Sequence, residues 1–181
     1  MHGLVSLLPS HYYGQVEEIW DELEQDYNLR GIYVTPFPHF SWQIAEDYDF
    51  DALEAAISPI CAITSPILVQ TAGLAMFSGS NPVLYIPVVK NQALMTLHDR
   101  IWEAALEVSL GASPYYNPSS WMPHISLAYG DVRREIIGKV IENLAFRTFN
   151  WQMTIDNIAL IYEPDGEIGT LKFKHTFRQT I

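Results

Sequence analysis

Pro38-His39-Phe40-Ser41-Trp42 and Pro123-His124-Ile125-Ser126-Leu127 are the two stretches on which the reading of this chain turns. Each sets a histidine two residues before a serine in an apolar, strand-like run. On a strand, residues i and i+2 point to one face. Each stretch therefore presents an imidazole beside a hydroxyl, while Phe40 and Trp42, or Ile125 and Leu127, point into the core. A His-x-Ser match is common by chance in a chain with six histidines, so the count carries little. The weight comes from context: a proline precedes both histidines, and both occupy equivalent places in a repeat.

The repeat emerges on reading outward. Residues 4–8 read as a buried strand. A helix follows over 10–26, capped by Ser10, with Val16, Ile19, Trp20, Leu23 and Tyr27 on one face. The first motif strand, 38–44, precedes a helix opened by Asp51 and Glu54 at capping-box spacing, with Leu53, Ile57 and Ile60 inward. Residues 67–77 read as a strand with a bulge at Gly73, and 83–89 as another in which Pro87 marks an edge or a bulge. Asn91 opens a helix carrying Leu94, Leu97, Ile101, Ala105 and Val108. A loop over 111–121 leads to the second motif strand, 123–128. Asp131 caps the next helix, and 149–155 alternates as a half-buried strand. Residues 158–162 and 170–178 flank Pro164-Asp165-Gly166 as a hairpin. Strand, helix, strand, helix, strand thus occurs twice, and 27 positions separate both His39 from Pro66 and His124 from Trp151. The expectation is one α+β domain over 1–181. It would have two similar lobes, about 1–82 and 83–181, related by a pseudo-twofold axis, with mainly antiparallel sheets facing a central cleft and helices outside.

Two His–Ser pairs across a cleft suit phosphoester chemistry. One imidazole can deprotonate an attacking oxygen while the other protonates the leaving oxygen. The hydroxyls of Ser41 and Ser126 can hold the non-bridging oxygens as charge builds. Composition narrows the ligand. The 181 residues carry 10 Lys and Arg against 21 Asp and Glu, a formal charge of −11. Such a surface repels polyanions at long range, which counts against a non-specific nucleic-acid binder but not against a short phosphorylated ligand in a local pocket. Cys61 is the single cysteine, so an intramolecular disulfide or a Cys-rich zinc site is impossible, and a reducing cytoplasm is the expected setting. The first nine residues lack a signal-peptide pattern, and no apolar run is long enough to span a bilayer.

With His39-Phe40-Ser41-Trp42 and His124-Ile125-Ser126-Leu127 in place, the chain resembles the two-histidine (2H) phosphoesterase superfamily. That superfamily includes 2′-5′ RNA ligase-like proteins and cyclic nucleotide phosphodiesterases. The resemblance covers nearly the whole chain. It implies a cleft between lobes, no metal and no cofactor. It casts His39 and His124 as the acid/base pair, with His124 the base and His39 the acid in opening a cyclic phosphate, and Ser41 and Ser126 as phosphate ligands. Both hydroxyls are serine where threonine is commoner in the family, Trp42 is bulkier than the usual aliphatic residue, and no basic residue follows either motif. The last point argues against RNA ligation more than against hydrolysis. The implied substrate is a small nucleotide or RNA end bearing a 2′,3′-cyclic phosphate or a 2′-5′ linkage. The competing readings are a cyclic oligonucleotide or non-nucleotide phosphodiesterase, and a non-catalytic module that holds a phosphorylated metabolite.

Other residues have two readings each. Tyr115, Tyr116 and Trp121, in the loop before His124, could stack a base at the cleft mouth or anchor the loop, and Tyr129 is placed to reach the rim. Lys172, Lys174 and Arg178 alternate on one face of the last strand, either lining the cleft or forming a solvated edge. His98, beside Asp99 and Arg100, reads as exposed, and His175 as packed. Trp20, Trp102 and Trp151 read as core. The acidic run of Glu17, Glu18, Asp21, Glu22, Glu24 and Asp26 reads as a solvated helix face. No metal-ligand spacing is present, and no long nucleic-acid groove and no membrane partner are expected. The oligomeric state is not fixed by the sequence.

Overall fold

The computed structural model describes residues 1–165 and 167–178. In chain order the elements are β1 (His2–Leu7), α1 (Ser10–Tyr27), β2 (His39–Ala45), β3 (Asp47–Tyr48), α2 (Phe50–Ile63), β4 (Ile67–Thr71) and β5 (Ala75–Phe77). They continue with β6 (Val83–Val89), α3 (Gln92–Leu106), β7 (Ser109–Leu110), β8 (His124–Ala128), α4 (Ile137–Ala145), β9 (Gln152–Ile155), β10 (Asn157–Tyr162) and β11 (Thr170–Thr176). Short 3₁₀ turns at Gly31–Val34 and Pro114–Tyr116 precede the two motif strands. The class is α+β, and every strand pair in the described residues is antiparallel.

Two sheets carry the fold. The first has the order β11-β10-β1-β2. In the second, β8 lies on one side of β6, β4 and β5 lie on the other, and β9 lies beyond β4. Each motif strand, β2 or β8, is thus an edge strand beside the strand that opens its half. The sheets do not divide at residue 82. β4 and β5 pair with β6, and β10 and β11 return to β1. The chain halves are therefore not the sheet units, because each half passes a strand to the other half's sheet. The matched 27-residue spacings lead to β4 and β9, but these two strands pair with each other in one sheet.

Local chemistry explains the remaining boundaries. α1 buries Val16, Ile19, Trp20 and Leu23 as expected, but Pro9 and not Ser10 holds its N-cap position, with no side-chain cap. α2 is capped by Asp49, whose carboxylate accepts from Ala52 N, and not by the Asp51/Glu54 box. Asn91 caps α3 through Leu94 N at 2.9 Å, a contact worth about 1 kcal/mol. Gly73, at φ +68°, breaks the 67–77 strand into β4 and β5. Pro87, which has no N–H, lies opposite that break, and its carbonyl accepts from Ala72 N. β10 and β11 pair as the expected hairpin arms, while Gly166 of its turn lies outside the described residues. One core runs through both sheets, with Phe40, Trp42, Ile125 and Leu127 all buried. Among the described residues no helix is long and apolar enough to cross a membrane.

Candidate active site

β2 and β8 pack against each other, so the two motifs meet between the sheets. Their local construction matches atom for atom at several points. Each motif proline offers its carbonyl to the neighbouring chain: Leu8 N donates to Pro38 O at 3.1 Å, and Val88 N to Pro123 O at 2.9 Å. Each ladder then slips by one residue after the motif serine. Ser41 and Gln43 face Val5 and Leu4, and Ser126 and Ala128 face Tyr85 and Leu84. Trp42 and Leu127 are the extra residues, and both are buried. Such a bulge bends the strand and re-aims its side chains. No sequence signal marked it at either motif.

The two imidazoles are oriented alike. His39 Nδ1 donates to Phe37 O, and His124 Nδ1 donates to Met122 O at 2.7 Å. A carbonyl only accepts, so the neutral rings carry their proton on Nδ1 and present Nε2 as a lone pair. Both rings are half-exposed. Burial pushes the His39 pKa down to about 4, opposed by the Phe37 carbonyl, and the nearby His124 lowers it further. Burial also lowers His124, opposed by the Met122 carbonyl. Among the described residues no lysine or arginine acts on either imidazole.

The surroundings are aromatic. Phe77 meets His124 edge-on at 4.9 Å between centroids, Tyr85 lies 5.0 Å from it, and these two rings stack on each other at 4.2 Å. Neither was singled out from sequence, although Tyr85 faces Ser126 across the ladder and strand alternation places Val83, Tyr85 and Pro87 on one face. Ser41 is buried and Ser126 half-exposed. The Ser41 side chain lies near enough to the Tyr116 phenol to offset in part the burial that raises Tyr116 to about 12, and Tyr129 adds to that rise from nearby. Tyr116 therefore meets the motifs, while Tyr115 is 79% exposed on the loop.

Trp121 and Lys172 each take one of their two readings, while His98 and Asp131 differ from expectation. Trp121 is buried and no base-stacking platform: its indole donates to Ser41 O at 2.9 Å and its ring stacks on His98 at 3.8 Å. His98 is itself buried, with Nε2 at 3.0 Å from Trp42 O, because it follows Leu94 by one helical turn on the inward face of α3. Lys172 lies on β11, at the far edge of the first sheet from β2, with its ammonium 4.5 Å from the Phe50 ring centroid. It is held there and not at the motifs. Asp131 also differs. It does not cap α4 but accepts from Arg30 N and Gly31 N, at 2.6 and 2.8 Å, ahead of β2.

The model of the 2′-5′ RNA ligase superfamily matches residues 8–167, which include both motifs and all but the ends of the chain. The chain belongs to the 2′-5′ RNA ligase superfamily. This is the family that the paired His-x-Ser motifs resemble. The "Putative phosphoesterase" of Bacillus pumilus (strain SAFR-032) is 26% identical over 110 residues, 59% of this chain and 58% of that protein, so the match spans less than two thirds of that relative. TT0787 of Thermus thermophilus superposes with a TM-score of 0.66 at 16% identity, over 98% of this chain and 97% of its own. LigT of E. coli, solved with 3′-AMP, superposes with a TM-score of 0.61 at 14% identity, over 98% and 97% of the two chains. At such identities the two structures establish a shared fold.

Proposed function

We propose that the chain is a metal-independent phosphodiesterase that opens a cyclic phosphate or cleaves a 2′-5′ linkage on a small nucleotide or RNA end. The observation that carries this reading is the matched pair of imidazoles, each with Nδ1 tied to the carbonyl two residues back and Nε2 without a partner among the described residues. Water attacks phosphorus as the Nε2 of one histidine takes its proton. The bond from phosphorus to the leaving ribose oxygen breaks as the other histidine donates its Nε2 proton to that oxygen. His124 serves as base and His39 as acid. Ser41 and Ser126 hold the non-bridging oxygens, Tyr116 steadies Ser41, and Tyr129 stands at the rim. Small nucleotides in LigT, 3′-AMP in one structure and ATP in another, support a ligand of that size here.

The test is turnover of a panel of 2′,3′-cyclic mononucleotides, 2′-5′ dinucleotides, cyclic oligonucleotides and non-nucleotide diesters, in EDTA. Hydrolysis of the first two classes, with kcat lowered roughly 10²–10⁴-fold by His39→Ala and by His124→Ala, is expected. Binding without turnover of any diester would leave a metabolite-holding module and end the enzymatic reading.

A further inference from the structure

β2 and β8 are edge strands, so the outward carbonyls of both motifs have no ladder partner. At the two serines, that role is filled by a tryptophan. Trp20 Nε1 donates to Ser126 O at 3.1 Å, and Trp121 Nε1 donates to Ser41 O at 2.9 Å. The donors come from unlike places, the middle of α1 and the loop before β8, yet they end on matched carbonyls. They also cross. Trp20 lies between β1 and β2 in the chain and grips β8, while Trp121 leads into β8 and grips β2. Both indoles are buried, at 3% and 1% exposure, where an N–H without an acceptor is costly. Trp121 is held in turn: His98 stacks on one side at 3.8 Å and 5°, Trp42 stacks at 5.4 Å, and Lys90 Nζ donates to its carbonyl at 3.1 Å.

We propose that Trp20 and Trp121 are positioning residues, a crossed pair of indole clamps that fixes the distance between the two histidine strands. The proposal rests on the two-histidine reading of the site. An acid and a base acting on opposite sides of one phosphorus must be held at a set separation, and displacing one strand by about an ångström costs on the order of 10² in rate. The strands have no direct backbone ladder between them to set that separation. The two serine carbonyls lie within the motifs, so their donors report directly on where each histidine sits.

The experiment compares Trp20→Phe and Trp121→Phe with Trp102→Phe. Trp102 is buried in the same aromatic group, 6.5 Å from His98, and its indole donates to nothing among the described residues. All three variants lose packing and are expected to melt lower. Only the two clamp variants are expected to lower kcat, by about tenfold or more with KM changed less than threefold, and to shift the ring C–H resonances of His39 and His124. Wild-type kcat with unmoved resonances in the clamp variants would overturn the proposal, as would an equal loss of kcat in Trp102→Phe. If the wild-type protein turns over no diester, the proposed activity fails. The ring resonances then decide the clamp alone: shifts in Trp20→Phe and Trp121→Phe sustain it, and their absence rejects it.

Discussion

Gly31→Ala is expected to unfold this protein at a markedly lower temperature, and the reason is a backbone contact. Gly31 opens the turn ahead of β2, and a Cβ built on it falls 1.9 Å from Tyr129 O and 3.0 Å from the Tyr129 carbonyl carbon and Asp131 Oδ1. Its φ is not in the left-handed region, so the constraint is space and not backbone conformation. Contacts under 3.0 Å are essentially never seen for a real Cβ, so the two segments must part by about 1.1 Å. Tyr129 is backbone here and cannot swing away. The same parting stretches the bonds from Arg30 N and Gly31 N to Asp131 Oδ2. Overpacking typically costs 1–3 kcal/mol, and weakened bonds to a charged acceptor add to it, so about 2–4 kcal/mol is lost. In a chain of this size each kcal/mol moves Tm by about 2–4 °C, which gives a fall of roughly 5–15 °C. The natural control is Gly14→Ala, the same chemical change within α1, where the new methyl meets nothing within 4 Å. It should raise Tm, since alanine gains about 0.5–1 kcal/mol over glycine inside a helix. Calorimetry of both variants is the assay. A Gly31→Ala protein melting within 2 °C of wild type would show that the segments around the motifs slide past each other freely.

Three further outcomes are expected. Burial lowers both motif histidines, His39 to about 4, and the proposed mechanism needs one charged while the other is neutral, so kcat/KM should peak on the acid side of the free-imidazole value of about 6.5. An alkaline limb above about pH 7.5 would contradict that environment. His98, buried and lowered to about 4, is neutral when folded and free to protonate when unfolded. Stability should therefore be full above about pH 6.5 and fall as pH drops toward 4, by about 3 kcal/mol in all, and His98→Phe should remove that part of the slope in urea titrations. Finally, at −11 with no basic residue acting on either imidazole, a mononucleotide should be turned over about as well as a long RNA with the same terminus, with little dependence on salt. A hundredfold gain with length, lost at high salt, would reveal a basic groove.

Much of this was legible because it follows from periodicity and chemistry that are local in the chain. The inward face of α3, the strand at 83–89 and the common setting of His39 and His124 all come from spacing alone. What stayed hidden is non-local. The pairing of β4 with β6 and of β10 with β1 joins segments far apart in the chain, and two strands with equal spacing from their histidines turned out to be neighbours. His98 looked exposed because Asp99 and Arg100 follow it, whereas its position one turn after Leu94 was the better guide. Asp131 has the residue type of a helix cap and does cap backbone N–H groups, but those of Arg30 and Gly31, a hundred positions away. Lys172 was placed by strand alternation. The ladder slips between Leu160 and Ile161 and leaves Lys172 as the unpaired residue on β11, where it lies over Phe50 and Tyr162.

The site raises a question that its own chemistry answers. On the proposed function, an anion must be held on an acidic protein, in a place where no lysine or arginine among the described residues acts on the histidines and where burial favours both neutral imidazoles. The hydroxyls of Ser41 and Ser126 alone supply weak neutral bonds. A phosphodiester entering between the rings changes the balance, because a nearby negative charge favours the protonated form of an imidazole and so raises its pKa. In the proposed mechanism the anion therefore brings its own counter-charge: a proton taken up by one histidine as the ligand arrives, which is also the proton that the leaving oxygen would need. Desolvation, which favours the neutral form of both rings, makes that charge strongly dependent on the ligand. It ties the acid to the presence of the bond to be broken. A fixed lysine in the same place would bind phosphate more tightly before and after the reaction alike, and would leave the product as firmly held as the substrate.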